Sequence, residues 1–387
     1  MNKIRQILRG VLMACGFLRT WVRWKTGKLV ELYKALLLRS CQPAEPTQTA
    51  RPVATGHGLR KLLFIADNMW ERQELLPELA RICEFVFVDV HPHIRLSDDG
   101  REYLPAQSVI AELNPHQGTR FDGVLVYLRS PLLSEELIGF LRSTWSCPLI
   151  GLNLDCKTSF DDYNVFRRDP TGYRHWAKSF DCNLTNARAM VDVYSRSGAN
   201  CLYLPTGYHY DPNIHILRTG EPFVYGLSFV GSWKPERQLV IEDLKRIGIN
   251  VEVFGAGWGN SPFVPDGWKI HQKTQLSLGI GFNVADTRIT NLKNRDFECP
   301  GVGGCYLTTY DWELAELFQL GKEILCYRGL DDLVELYTYY IRRPEDCRRI
   351  AAAGFDRCRR EHTWEHRFRK VFGEMGFKPA INYVERA

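Results

Sequence analysis

Arg295-Asp296-Phe297-Glu298 runs, after one cysteine, into Pro300-Gly301-Val302-Gly303-Gly304, and then into the apolar stretch Cys305-Tyr306-Leu307-Thr308. A cation and a carboxylate thus stand just ahead of a glycine-rich run. Glycine lets a backbone approach a ligand closely, so amides can meet phosphate oxygens while Arg295 adds charge and Glu298 accepts hydroxyl protons. A ligand carrying both a diphosphate and sugar hydroxyls, a sugar nucleotide, suits that set. An ordinary helix-to-strand junction has the same composition, and this stretch alone does not separate the two readings.

A second group lies at Gly231-Ser232-Trp233-Lys234-Pro235-Glu236-Arg237. Ser232 can cap a helix, Pro235 suits its first turn, and Lys234 and Arg237 bracket its start. Free amides at a helix N-terminus, a small-residue loop and two cations form a phosphate site, although a solvated surface turn looks alike. Gly255-Ala256-Gly257-Trp258-Gly259 resembles a dinucleotide fingerprint, but Asn260-Ser261-Pro262 cannot open the helix that fingerprint requires. That loop can still line a pocket, with Trp258 as a stacking surface, or it is a plain surface loop. His91 and His93 are spaced like a metal pair; without neighbouring ligands they read as a polar loop.

The elements that must position these residues follow a repeating pattern. Apolar runs at 61–66, 84–88, 123–128 and 148–154 read as buried strands, with helical segments at 72–83 and 134–143 between some of them. A further strand-helix pair at 182–185 and 187–197 and a strand at 201–204 complete the first unit. The pattern starts afresh with strands at 226–230, 251–254, 279–283, 305–308 and 324–327 and a helix at 236–247. Such alternation is the signature of parallel sheets covered by helices. The expected architecture is α/β: two Rossmann-like domains facing a cleft, at 57–210 and 220–372. Ligands of such sheets sit at the carboxyl ends of the strands.

Composition places the chain among globular proteins, with 45% hydrophobic and 25% charged residues over 387 positions. The twelve cysteines show no C-x-x-C spacing, so they read as core residues and not as a metal or disulfide framework. No metal site or cofactor is expected. Charge is unevenly divided. Residues 1–41 hold nine cations against Glu31 alone, a net +8, which leaves −3 on the rest of a chain whose total is +5. An acidic body excludes general nucleic-acid binding. In the tail, Ile4, Leu8, Val11, Leu12, Cys15, Leu18 and Val22 recur at helical spacing, beside Trp21 and Trp24. No stretch reaches the roughly 18 uncharged apolar residues of a spanning helix. The tail reads as an amphipathic helix on an anionic membrane surface, or alternatively as a helix packed on the body or a partner. Only five residues separate Arg9 from Cys15, too few for a secretory signal, so the expected location is cytoplasmic, on the inner membrane face. The Pro- and Thr-rich residues 42–56 mark a linker.

Taken in order, SFVGSWKPERQLVIEDLKRIGINVEVFGAGW, GIGFN, NRDFECPGVGGCYLTT and the long segment from ELFQLGKEILCY to REHTWEHRF resemble the CgeB/YkvP-type glycosyltransferases, relatives of the GT-B class. The similarity covers roughly residues 220–370, and residues 148–210 fit more loosely. It implies a metal-independent glycosyltransferase with a nucleotide-sugar donor site in the C-terminal half. Glu298 would meet the ribose hydroxyls, and Arg295 and Arg237 the diphosphate, with Gly231 and the Gly301–Gly304 amides. Related enzymes often carry Glu-x7-Glu, but Thr290 stands at the first position here. The segment 344–372 would cross back to brace the N-terminal domain. No D-x-D occurs, which disfavours the metal-dependent GT-A class. A base for the acceptor, whether glycan, lipid-linked or protein, should come from the N-terminal domain. Asp155 is the preferred candidate and Asp67 the second, both placed after strands; a helix cap or a buried cation's partner is the commoner role for either taken singly. A non-catalytic GT-B-like binding or assembly subunit and a nucleotide-sugar epimerase are the alternative readings.

Overall fold

The computed structural model describes residues 58–378, apart from 68–69, 99, 155, 162–171, 260–263, 265 and 284–285, together with residues 53 and 56. The basic tail, nearly all of the linker and the candidate base Asp155 therefore lie outside the described residues.

The first sheet contains β1 (Lys61–Ala66), β2 (Glu84–Asp89), β3 (Gly123–Tyr127), β4 (Leu149–Asn153), β5 (Cys182–Thr185) and β6 (Cys201–Tyr203). They are ordered β2-β1-β3-β4-β5-β6, and every pairing is parallel. A parallel strand covered by helices on both faces must be apolar throughout, and KLLFIA is: Leu62 to Ala66 are all fully buried. Leu63 and Ile65 pack in one cluster, with α2 (Ala106–Leu113) and α3 (Glu135–Thr144) contributing. Leu62, Phe64 and Ala66 point to the other face, toward α1 (Trp70–Leu79). Beyond β5, α4 (Arg188–Arg196) buries Met190 and Tyr194.

The second sheet is built from β7 (Tyr225–Val230), β8 (Glu252–Phe254), β9 (Thr274–Leu278), β10 (Tyr306–Thr309) and β11 (Leu325–Tyr327), ordered β8-β7-β9-β10-β11 and again parallel. The helices that matter for the site are α5 (Pro235–Arg246), α6 (Arg295–Gly301) and α7 (Trp312–Leu317). The central strand corrects the sequence expectation. It is Thr274–Leu278, not 279–283, of which only Phe282–Asn283 pair, in a short antiparallel ribbon with Asp286–Thr290. TQLSL looks too polar for a strand buried on both faces. Its polar groups are satisfied by partners outside the strand: Thr274 bonds Ser228, Ser277 bonds the nearby His271, and Gln275 donates to the distant carbonyls of Tyr340 and Ile341.

The chain returns through α8 (Pro344–Glu361) and α9 (Trp364–Glu374). These are two helices, since Thr363 caps the second by accepting from His366 N–H. Trp364, Phe368, Val371 and Phe372 of α9 join the core of the first sheet, so the C-terminal segment does brace the N-terminal half. Part of the presumed linker is docked too: Val53 N–H donates to Met375 at 3.1 Å. Among the described residues, no helix is long and apolar enough to cross a membrane.

Candidate active site

The carboxyl edges of the two sheets face each other. Lys157, just beyond β4, donates to the Thr290 carbonyl at 3.0 Å and to Glu313 Oε1 of α7 at 3.1 Å. Arg188 N–H, at the start of α4, donates to Glu313 Oε2 at 2.9 Å, and Arg188 Nε pairs with Glu316 at 3.1 Å. Lys157 and Glu313 are nearly sealed from solvent, with side-chain exposures of 7% and 0%. Burial alone would lower the Lys157 pKa, but Glu313 and then Asp311 more than offset it and hold the ammonium above its ordinary value. Thr290, at the position where relatives carry glutamate, donates its hydroxyl to Asp311 at 2.5 Å.

On the C-terminal side, β7 ends at Val230 and turns at Gly231, whose φ of 154° and surroundings suit only glycine. A Cβ there would lie 2.4 Å from Arg295 Nη1. Arg295 enters from the first turn of α6 and donates to the carbonyls of Val230 at 2.8 Å and Ile280 at 3.1 Å, which fixes it at the carboxyl ends of β7 and β9. Arg237, in the first turn of α5, donates to the Ser232 carbonyl at 2.6 Å and Oγ at 3.2 Å. Both guanidinium groups lie over the Phe229 ring, 4.8 Å for Arg295 and 5.6 Å for Arg237. Among the described residues no carboxylate forms an ion pair with either, and the Nε of each is buried without a partner. Burial and then Arg295 push the Arg237 pKa down to about 10. Lys234 is exposed at the N-cap of α5.

The other candidates divide. Trp258 is not an open stacking platform: its Nε1 donates to Gly231 O at 2.7 Å and its ring meets Phe229 edge-on, so it ties the Gly255–Gly259 loop to the Gly231 turn. The Gly231 amide is also engaged, donating to Phe254 at 2.8 Å. Gly301, Gly303 and Gly304 do not join the mouth. They lie between α6 and the start of β10, at the amino edge of a parallel sheet. A Cβ on Gly301 would fall 2.5 Å from the Tyr208 ring, so this glycine serves packing between the halves. Asp67 is not a free base either. Its Oδ1 meets His91 Nδ1 at 3.1 Å and its Oδ2 accepts from Arg129 at 2.8 Å.

Glu298 sits one turn beyond Arg295, opposite a residue that sequence reasoning missed. Glu74, on α1 of the first unit, accepts from His209 N–H at 2.9 Å and from the Asn294 side chain. Burial raises Glu298 to about 7, against the pull of Arg295. Burial, and then the charge of Glu298, raises Glu74 to about 8. Glu74 and Glu78 stand one helical turn apart, a pattern visible in WERQELLPEL, but nothing local says what faces them. Lys157 and Glu313 were missed for the same reason. Both acids have folded pKa values above the ordinary 4.5, so the folded chain holds protons more tightly than the unfolded chain. The contribution of these two acids to stability should therefore fall as pH rises from about 4.5 through about 8. Glu298→Gln should flatten that slope, with a gain over wild type near pH 8.5 and little change near pH 5, read by urea unfolding at both. Equal slopes in wild type and variant would refute the buried pair. Among the described residues, no group of three or more His, Cys, Asp or Glu side chains is placed to hold a metal ion.

Residues 237–373 match the model of a glycosyl transferase-like family. No curated protein matches the chain. Among solved structures, the chain is similar to Anabaena HepE in complex with UDP-glucose, with a TM-score of 0.52 at 11% identity over 81% of this chain and 98% of that one. A sucrose-phosphate synthase from Thermosynechococcus elongatus gives 0.51 at 11% identity, over 81% and 99%. A glycosyltransferase from Rickettsia africae gives 0.51 at 10% identity, over 82% and 97%. The chain has the two-sheet GT-B fold of these enzymes, and its C-terminal half contains a glycosyl transferase-like domain.

Proposed function

We propose that this chain is a metal-independent glycosyltransferase of the CgeB/YkvP type, moving a sugar from a nucleoside-diphosphate donor to an acceptor hydroxyl. The observation that carries the reading is the pair Arg237 and Arg295, two guanidinium groups without a carboxylate partner at the carboxyl edge of the second sheet. They would take the charge that develops on the departing diphosphate, with Lys234, Ser232 and the α5 N-terminus beside them. Glu298 would accept from the ribose hydroxyls once ionised. The UDP-glucose complex of HepE lends support to a uridine nucleotide as the first probe. Thermal shift against a panel of nucleotide sugars tests the reading, because a ligand of the native state raises its stability. A stabilising donor should then be transferred or hydrolysed in the presence of EDTA. Loss of activity on chelation, restored by Mg²⁺ or Mn²⁺, would overturn metal independence.

Thr290 in place of a glutamate favours a second reading, a donor-binding assembly subunit without turnover. Binding with neither transfer nor hydrolysis would select it, and an epimerised donor as sole product would select an epimerase.

The acceptor of this proposal is membrane-borne, a membrane-associated or lipid-linked glycan reached through residues 1–41. Their net +8 and apolar stripe combine headgroup attraction, about 1 kcal/mol per nearby cation, with apolar insertion. Deleting residues 1–42 should abolish co-sedimentation with anionic liposomes and leave donor binding intact. Full-length protein that ignores such liposomes at low salt would shift the acceptor to a soluble glycan or protein.

A further inference from the structure

We propose that Cys305 and Cys347 are a reversible oxidation site, a dithiol that a hydroperoxide converts to a disulfide. The glycine-rich turn puts one thiol in place. Gly303 and Gly304 lead into Cys305, whose carbonyl accepts from Ser277 N–H at 2.8 Å and is thereby fixed at the amino end of β10. The other thiol comes from the first turn of α8, where Cys347 N–H donates to the Arg343 carbonyl at 3.2 Å. Both side chains belong to the core of the second sheet, 2% and 0% exposed. There the Cys305 thiol donates to the Cys347 sulfur. Two further groups hold Cys347: its Sγ donates to the Tyr340 carbonyl at 3.4 Å and accepts from Gln275 Nε2 at 3.9 Å.

Buried thiols are ordinarily inert, but this pair has a way in. Cys305 and Cys347 line a cavity of about 360 Å³ whose other wall is Leu217–Phe223, part of the segment that joins the two sheets. Glu345 and Arg349 stand at its rim with side chains 83% and 76% exposed, so it opens to solvent. A water molecule takes about 30 Å³ in the liquid, and hydrogen peroxide is little larger. Reactivity is unequal within the pair. The Cys305 S–H, helped by the Gln275 amide, outweighs burial and holds the Cys347 thiol below its ordinary value. That same bond, and then burial, hold Cys305 well above it. Elsewhere burial pushes the half-buried Cys147 up to about 11 and Cys326 up to about 12. Cys299 packs against the same turn, its Sγ 2.7 Å from where a Cβ on Gly304 would lie, but it does not line the cavity.

In the reaction, the Cys347 thiolate attacks one oxygen of hydrogen peroxide. The O–O bond breaks, its electron pair leaves with the other oxygen, and that oxygen takes up the Cys347 proton to become water. The Cys305 sulfur then attacks the sulfenic acid so formed. An S–S bond forms as the S–O bond breaks, and the hydroxyl leaves with the Cys305 proton as a second water. Two thiols are oxidised and one peroxide is reduced. A thiol reductant reverses the change, and wherever glutathione keeps thiols reduced the pair rests as the dithiol.

Full-length native protein treated with stoichiometric hydrogen peroxide, alkylated and digested, supplies the test by mass spectrometry. Its intact mass should fall by two hydrogens, one linked peptide pair should join Cys305 to Cys347, and dithiothreitol should restore both thiols. Cys305→Ser should stop at a sulfenic acid on Cys347, trapped by dimedone, whereas Cys347→Ser should leave Cys305 unmodified. The oxidised wild type should unfold about 5 °C above the reduced form, because the bond closes a loop of about 40 residues, and neither serine variant should show that rise. Since the wild-type arm needs no variant, a serine variant that fails to fold does not blunt the test. A Cys347 that takes up oxygen while Cys305 stays free overturns the proposal. So do a link to Cys299, oxidation of Cys147 and Cys326 with the pair untouched, and a bond that forms only in urea or lowers the unfolding midpoint.

Discussion

Lys157→Met should be among the most damaging single substitutions in the chain. It leaves Glu313 buried with no cation, and breaking a buried pair by removing one partner costs about 3–5 kcal/mol. The Arg188 N–H and the Tyr203 hydroxyl still donate to that carboxylate, but neutral donors do not replace an ammonium. Because Lys157 belongs to the first unit and Glu313 to the second, the chain can hydrate the orphaned carboxylate by parting the two edges. The expected result is a lower unfolding midpoint together with a larger radius of gyration in solution scattering. The double variant Lys157→Met/Glu313→Leu supplies the decisive comparison. Replacing both charges by apolar groups of similar volume is often neutral or stabilising, so it should recover most of the lost stability and the compact form. If the single and double variants unfold alike, the pair does not hold the two halves together.

Arg295→Ala should weaken nucleoside-diphosphate binding by about 10- to 150-fold, the equivalent of one charge-assisted hydrogen bond at about 1.5–3 kcal/mol. The substitution removes a cation but also frees the carbonyls of Val230 and Ile280, so its effect on folding must be measured beside its effect on binding. Arg295→Lys separates the two. A lysine keeps the charge without the planar fork that spans two carbonyls, and it should bind between alanine and wild type. Arg237→Ala is expected to behave like Arg295→Ala, since both groups lie over the Phe229 ring. Normal nucleotide affinity in both alanine variants would move the donor site elsewhere.

Much of this was legible in the sequence. KLLFIA and its successors are continuous apolar runs, which local chemistry permits only as strands buried on both faces, and two series of them specify two parallel sheets. The junction of β7 and α5 was equally readable, because a strand end, Gly231 and Pro235 sit within six residues, so Arg237 had little choice of position. The return of the C-terminal helices onto the first core followed from the resemblance and is met by Trp364 and Phe368.

Tertiary structure decided the rest, and the reason is distance along the chain. Arg295 and Gly301 are neighbours in sequence, but a helix of seven residues carries the chain about 10 Å, enough to set the cation at one edge of the sheet and the glycines at the other. TQLSL became a central strand because Gln275 finds carbonyl partners at Tyr340 and Ile341, more than sixty residues away. Asp67, a candidate base in the sequence, is held between His91 and Arg129 once β2 and β3 close on either side of β1. Lys157 and Glu313 lie 156 positions apart. Periodicity and turn chemistry are local and survive in a one-dimensional reading, whereas the partner of a charge depends on which surfaces fold together.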